Sequence, residues 1–119
     1  MRGLTIIALT ADRERFRAAL SLACAHAALG GPTRLYCHEA AVALLREDAD
    51  PGDEALAAAA LPTRRQLIGA ARDSGVALIA CQTGLAIAGL SLEALADGVI
   101  AGGLVSLLAE LGEDRLVTV

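Results

Sequence analysis

Three cysteines, Cys24, Cys37 and Cys81, and two histidines, His26 and His38, are the side chains in this sequence best suited to nucleophilic, redox or metal chemistry. Cys81 stands apart by its place in the chain. The apolar run Val76-Ala77-Leu78-Ile79-Ala80 leads into it, and Gln82-Thr83-Gly84 with Leu85-Ala86-Ile87-Ala88 follows it as one or two helical turns. A thiol where a buried strand gives way to a helix sits near the helix's positive end. Such sites lower a cysteine pKa from about 8.5 into a range of about 3.5–7.5 and so favour the nucleophilic thiolate. The competing reading is packing, since free cysteine is among the most buried residue types. The strand-end position favours chemistry, because open parallel sheets bind ligands beyond the carboxyl ends of their strands.

The other candidates carry weaker signals. Cys24 falls on the apolar stripe of the first helix and reads as packing; Cys37 ends the second strand and is at most a helper. An odd cysteine count with no C-x-x-C indicates neither a disulfide framework nor a zinc ribbon, and makes a reducing cytoplasm the natural compartment. A metal site built from Cys24, His26, Cys37 and His38 is disfavoured. Residues two apart on a helix diverge, and adjacent strand residues point to opposite faces. His26 reads as a surface or oligomer-contact residue, whereas His38, just past a strand end, approaches the same sheet edge as Cys81 as a candidate proton donor. Gly30-Gly31 and Gly102-Gly103 complete neither G-x-G-x-x-G nor a P-loop, so both are turn glycines and no cofactor is expected. Arg64-Arg65 reads as solvated, its rival role being to attract an anionic substrate or partner.

The elements that position these residues alternate. Leu4 to Leu9 is a nearly continuous apolar run, typical of a strand covered on both faces. Thr10 or Asp12 caps a helix whose apolar positions Phe16, Ala19, Leu20, Ala23, Cys24, Ala27 and Ala28 recur at helical spacing up to Gly30-Gly31. Thr33 to Cys37 is a second strand, giving a right-handed βαβ unit. Glu39 to Glu47 reads as a short helix, and Asp48 to Asp53, with Pro51-Gly52, as a mobile surface loop. Thr63 caps a helix to about Ser74, Val76 to Ala80 is a third strand, and Val99-Ile100-Ala101 a fourth. A helix through Leu111 and a fifth strand from Arg115 to Val119 follow. The pattern predicts a three-layer α/β/α sandwich with a mainly parallel five-stranded sheet.

Composition supports one domain over 1–119. The length suffices to bury a core without a staple, and 55% hydrophobic content with 2% aromatic calls for closely approaching Ala, Leu, Val and Ile layers. Net charge is −4, and the ten basic residues, all Arg, are scattered, which argues against nucleic-acid binding. Gly75 to Leu92 carries no charge and approaches the membrane-span threshold of about 18 apolar residues. Gln82, Thr83, Ser91 and three glycines within it favour strand, turn and short helix instead. The basic, apolar start reaches Asp12 too soon for a signal peptide.

The opening strand leading to Thr10-Ala11-Asp12-Arg13-Glu14-Arg15-Phe16, the Leu61-Pro62-Thr63 helix entry and above all Ala80-Cys81-Gln82-Thr83-Gly84-Leu85 resemble the DsrE-like sulfur-relay family (DsrE/DsrF/TusD-like). The likeness runs over nearly the whole chain, through Gly102-Gly103 and Arg115-Leu116-Val117. It implies a small α/β/α domain in a homo-oligomer or hetero-oligomer, acting as a sulfurtransferase that accepts sulfane sulfur as a persulfide on Cys81 and passes it between donor and acceptor proteins. Backbone amides of Gln82, Thr83 and Gly84 are the expected persulfide-stabilising groups. Two rivals predict different behaviour: a non-catalytic oligomeric protein binding a small ligand near an idle Cys81, and a redox protein in which Cys37 resolves a Cys81 sulfenic acid.

Overall fold

Continuous apolar strands cannot face water on either side, and the chain solves this by placing them inside a parallel sheet. The computed structural model describes residues 1–119. Strands β1 (Leu4–Ala8), β2 (Thr33–Cys37), β3 (Ala77–Cys81), β4 (Ile100–Gly102) and β5 (Arg115–Thr118) form one sheet in the order β4-β3-β2-β1-β5. Every pairing is parallel. All five residues of β1 are buried. Thr5 among them is satisfied by donating to Asp114 at 2.8 Å and accepting from Arg34 at 3.1 Å. The architecture is the α/β/α sandwich that the alternation of elements predicts.

Register decides which thiol faces where. Tyr36 pairs with Ile79, Cys37 with Ala80, and Cys81 with Gly102. Because successive strand residues alternate between faces, Tyr36 and Cys81 share one face and Cys37 lies on the other.

Helix α1 (Arg13–Ala28) buries Phe16, Ala19, Leu20 and Ala23 and packs on β1 and β2. Its cap is Asp12, whose carboxylate accepts from the Arg15 amide at 2.8 Å. After the short helix α2 (Asp53–Ala58), α3 (Arg64–Asp73) begins with a capping box formed by Thr63 and Gln66 and packs against α1. Helix α4 (Gln82–Ala88) follows β3 with no intervening residue, and α5 (Leu104–Ala109) joins β4 to β5, seating Leu107. Glu39–Leu45 is a 3₁₀ helix that buries Ala41, Val42, Leu44 and Leu45. The fourth strand starts at Ile100, one residue later than its apolar run suggests, because the Val99 amide is used in a turn to Ala96. No helix is long and apolar enough to cross a membrane.

Two expectations fail for one reason. Arg65 is exposed, but Arg64 is only 6% exposed, so the pair is not uniformly solvated. Its guanidinium donates to both carboxylate oxygens of Asp50 at 2.8 and 3.1 Å and to the Asp48 carboxylate at 3.0 Å. It also donates to the carbonyls of Leu44, Arg46 and Asp48. The segment 48–53, expected to be mobile, is wrapped around this charge, and Asp50 is further paired with Arg13 at 3.2 Å. Hydrogen bonds from Arg64 hold the Asp48 and Asp50 carboxyls below the ordinary carboxylate range, against the opposing effect of burial.

Arg64→Ala strands Asp50, 10% exposed, without its main partner. It should lower unfolding stability by about 3–5 kcal/mol in urea titration, whereas Arg65→Ala should stay within about 0.5 kcal/mol. The depressed carboxyl pKa values make this stabilisation complete above the unfolded carboxyl pKa of about 3.9 and progressively lost as pH falls through the folded values. Arg64→Ala should accordingly lose less stability on acidification than the parent protein.

Candidate functional site

The carboxyl edge of the sheet brings together residues far apart in sequence. Strand β2 ends at Tyr36 and Cys37 and delivers His38 and Glu39; β3 ends at Cys81; β4 ends at Gly102. A cavity of about 290 Å³ opens between them, lined by Tyr36, His38, Glu39, Cys81, Gln82, Thr83, Gly102, Gly103 and Leu104. It adjoins a groove of about 580 Å³ that shares Gln82, Gly102, Gly103 and Leu104 and runs beneath α5.

Cys81 is 5% exposed and occupies the cap position of α4. The first amides of a helix have no intrahelical partner, and those of Thr83 and Gly84 act on the Cys81 sulfur together with the Glu39 amide and the Tyr36 hydroxyl. Burial pushes the thiol up, but the Tyr36 hydroxyl and these three amides outweigh it and hold Cys81 below the ordinary thiol value. The sulfur closes no capping hydrogen bond in this state; catalytic donors are commonly loose before the reacting group arrives and tighten with it. Tyr36 is driven the other way. Burial, then its contact with Cys81, push its phenol well above the ordinary range, so it remains a proton donor.

The Glu39 amide reaches this position through an unusual backbone. Glu39 has φ 42°, left-handed for a residue with a side chain, a conformation that costs of order 1–3 kcal/mol. Gly84 is what allows α4 to close on it: a Cβ there would lie 2.5 Å from the Glu39 carbonyl oxygen and 2.6 Å from Val42 Cγ2. His38 lines the same cavity, its Nδ1 buried without a hydrogen-bond partner and its Nε2 3.9 Å from Glu39 Oε1.

The remaining sequence candidates separate. Cys37 is fully buried on the opposite sheet face, and burial pushes its thiol far up; resolving a Cys81 sulfenic acid would require it to cross the sheet. Cys24 is pushed up by burial and donates to the Leu67 carbonyl at 3.8 Å. His26 is neither free nor a ligand: its Nδ1 is 2.8 Å from Thr33 Oγ1, fastening the end of α1 to the start of β2. No three His, Cys, Asp or Glu side chains converge as a metal site would require. Of the three amides expected at the site, those of Thr83 and Gly84 act on Cys81, while Gln82 contributes its place in the lining of both cavities. Sequence reasoning missed Tyr36 and the Glu39 amide. The alternation of β2 hinted at Tyr36, since it must face away from Cys37, but only the pairing with Ile79 puts it on the face of Cys81.

No protein-family model matches the chain, and no curated protein does. Solved structures do. The ychN protein of E. coli superposes with a TM-score of 0.76 at 24% identity, covering 100% of both chains. MTH1491 of Methanobacterium thermoautotrophicum, a protein of unknown function, superposes with a TM-score of 0.76 at 15% identity, again over 100% of both chains. The fold is DsrE-like. At these identities the likeness is one of architecture, and it spans every element from β1 to β5.

Two substitutions test the site. Tyr36→Phe removes a donor to the thiolate and should move the pH midpoint of Cys81 alkylation by iodoacetamide upward, slowing the reaction at neutral pH by about tenfold. Gly84→Ala should force α4 away from Glu39, lowering stability by about 1–3 kcal/mol and moving the alkylation midpoint in the same direction. Unchanged midpoints in both variants would remove these groups from the account.

Proposed function

We propose that the protein is a sulfur carrier that accepts sulfane sulfur as a persulfide on Cys81 and passes it to a partner thiol. The observation that carries this reading is the contrast among the three thiols: Cys24 and Cys37 are pushed up by burial, while Cys81 is held below its ordinary value beside an open cavity. The DsrE-like fold agrees with it.

In the first half-reaction the Cys81 thiolate attacks the outer sulfur of a donor persulfide, R–S–SH. A bond forms between Cys81 Sγ and that sulfur, the donor S–S bond breaks, and the donor thiolate leaves with the electron pair and takes up a proton. In the second, an acceptor thiolate attacks the outer sulfur of Cys81–S–SH and Cys81 departs as thiolate. No net oxidant is needed. The donors around Cys81 serve both halves, raising its thiolate fraction as nucleophile and stabilising it as leaving group. The opposing effect, weaker intrinsic nucleophilicity as a thiol pKa falls, is the shallower dependence. His38, which lines the same cavity, is the side chain that would hand a proton to the departing donor thiolate. Gln82 and Thr83 line the cavity that would receive the added sulfur, and the Thr83 and Gly84 amides act on the Cys81 sulfur that would carry it.

The donor and acceptor are expected to be proteins that present a cysteine on a narrow segment, because the cavity is small and Cys81 is recessed. We also propose that the chain works as a homo-oligomer. Ile100, Leu104, Val105 and Leu108 are 56%, 38%, 86% and 49% exposed on β4 and α5 beside the site. An apolar cluster of this kind marks an interaction surface.

Incubation with a cysteine desulfurase and cysteine, followed by peptide-mapped mass spectrometry, should locate one added sulfur on Cys81 and none in Cys81→Ser. Absence of the adduct in the parent protein would move the reading to a ligand-binding protein with an idle thiol. Light scattering at micromolar concentration should show an assembly that Val105→Glu weakens, and a purely monomeric parent would contradict the oligomer.

A further inference from the structure

A second concave site lies at the other end of the sheet, where β1 and β5 begin. Helix α1 packs on β1 and β2, while no residue of β5, at the edge of the sheet, is fully buried. Leu22 and Ala25 on α1 and Leu29 at its C-cap fall at i, i+3 and i+7, along one side of the helix and apart from its buried residues Phe16, Ala19, Leu20 and Ala23. With Leu4 and Val117 they wall a groove of about 560 Å³. Leu22 and Leu29 are 40% and 71% exposed.

The charge at this groove runs against that of the whole molecule. The chain carries a net −4, yet no acidic residue lines the groove, and two arginines, Arg2 and Arg115, do, together with His26, whose Nδ1 is engaged by Thr33. Arg13, Arg34, Arg46, Arg64 and Arg72 pair with carboxylates, and Arg2 and Arg115 are among the five arginines that do not. Arg2 donates through Nε to the Glu113 carbonyl, which orients its guanidinium without neutralising it.

We propose that this groove binds a small anionic amphiphile, an unbranched apolar chain ending in a carboxylate, with the chain along Leu22, Leu29 and Val117 and the head group between Arg2 and Arg115. Guanidinium matches carboxylate in charge and in planar two-point geometry. The volume lies in the range of small-molecule sites, about 300–1,000 Å³. The feature is concave and not a raised patch, which suits a small molecule better than a membrane surface. It shares no residue with the Cys81 cavity, so it stands independently of sulfur transfer.

Isothermal titration of the full chain with decanoate, below the concentration at which decanoate micellises, tests this directly. One saturable site per chain is expected, weakened about tenfold or more by the double variant Arg2→Gln/Arg115→Gln, abolished by Leu29→Glu and unchanged by Cys81→Ser. Decanol and decyltrimethylammonium should bind more weakly than decanoate. The proposal is overturned by an absence of saturable decanoate binding or by equal affinity in the double variant. It is equally overturned if the protein sediments with phosphatidylglycerol vesicles without binding monomeric decanoate, or if Leu29→Glu dissociates an assembly while decanoate has no effect, which would assign the groove to a second copy.

Discussion

The contact between Gly84 and Glu39 is the constraint on which the carboxyl edge of this protein depends. Because β3 runs into α4 without a linker, Cys81 is both the last strand residue and the helix cap. Because Gly84 has no side chain, α4 can lie against the 3₁₀ helix 39–45 closely enough for the Glu39 backbone to approach the same sulfur. The left-handed conformation of Glu39 is the local cost of that approach. It is offset by the burial of Ala41, Val42, Leu44 and Leu45 in the segment that Glu39 begins.

Around Cys81 two large effects oppose each other. Removing a thiol from water disfavours its charged form, and at Cys37 and Cys24, where nothing answers that effect, the thiols are pushed up. At Cys81 one hydroxyl and three amides answer it. The same burial thus pushes two thiols up and is outweighed at the third, and the difference lies in the hydroxyl and the unused backbone amides that reach Cys81. Fixed dipoles of this kind need little reorganisation when charge appears on sulfur, which is why they act more strongly inside a protein than in water. The Arg64 cluster follows the same logic with the sign reversed: a buried cation recruits two carboxylates and three carbonyls, and in doing so orders the segment after the 3₁₀ helix.

Much of the fold was legible in sequence because it is written in local patterns. The apolar runs at Leu4 and Val76, the helical stripe from Phe16 to Ala28 and the Thr63 cap each specify an element without reference to the rest of the chain. Cys81 was legible for the same reason, as a residue between an apolar run and a short helix. What escaped depends on pairing across distance. Tyr36 enters the site through the register of β2 on β3, the Glu39 amide through one left-handed residue, and the burial of Arg64 instead of Arg65 through the path of a segment more than ten positions away. The inward turn of His26 likewise depends on Thr33, across the turn at Gly30-Gly31. None of these leaves a periodic trace.

Sulfur transfer through this site requires Cys81 to be the one thiol that ionises readily in the folded protein. Ultraviolet thiolate absorbance of the native protein, titrated with pH beside Cys81→Ser, measures this directly. One thiolate appearing below the ordinary thiol range and missing from the variant is the predicted result. Titration of all three thiols together at or above the ordinary value, with the variant tracing the same curve scaled to two, would contradict it.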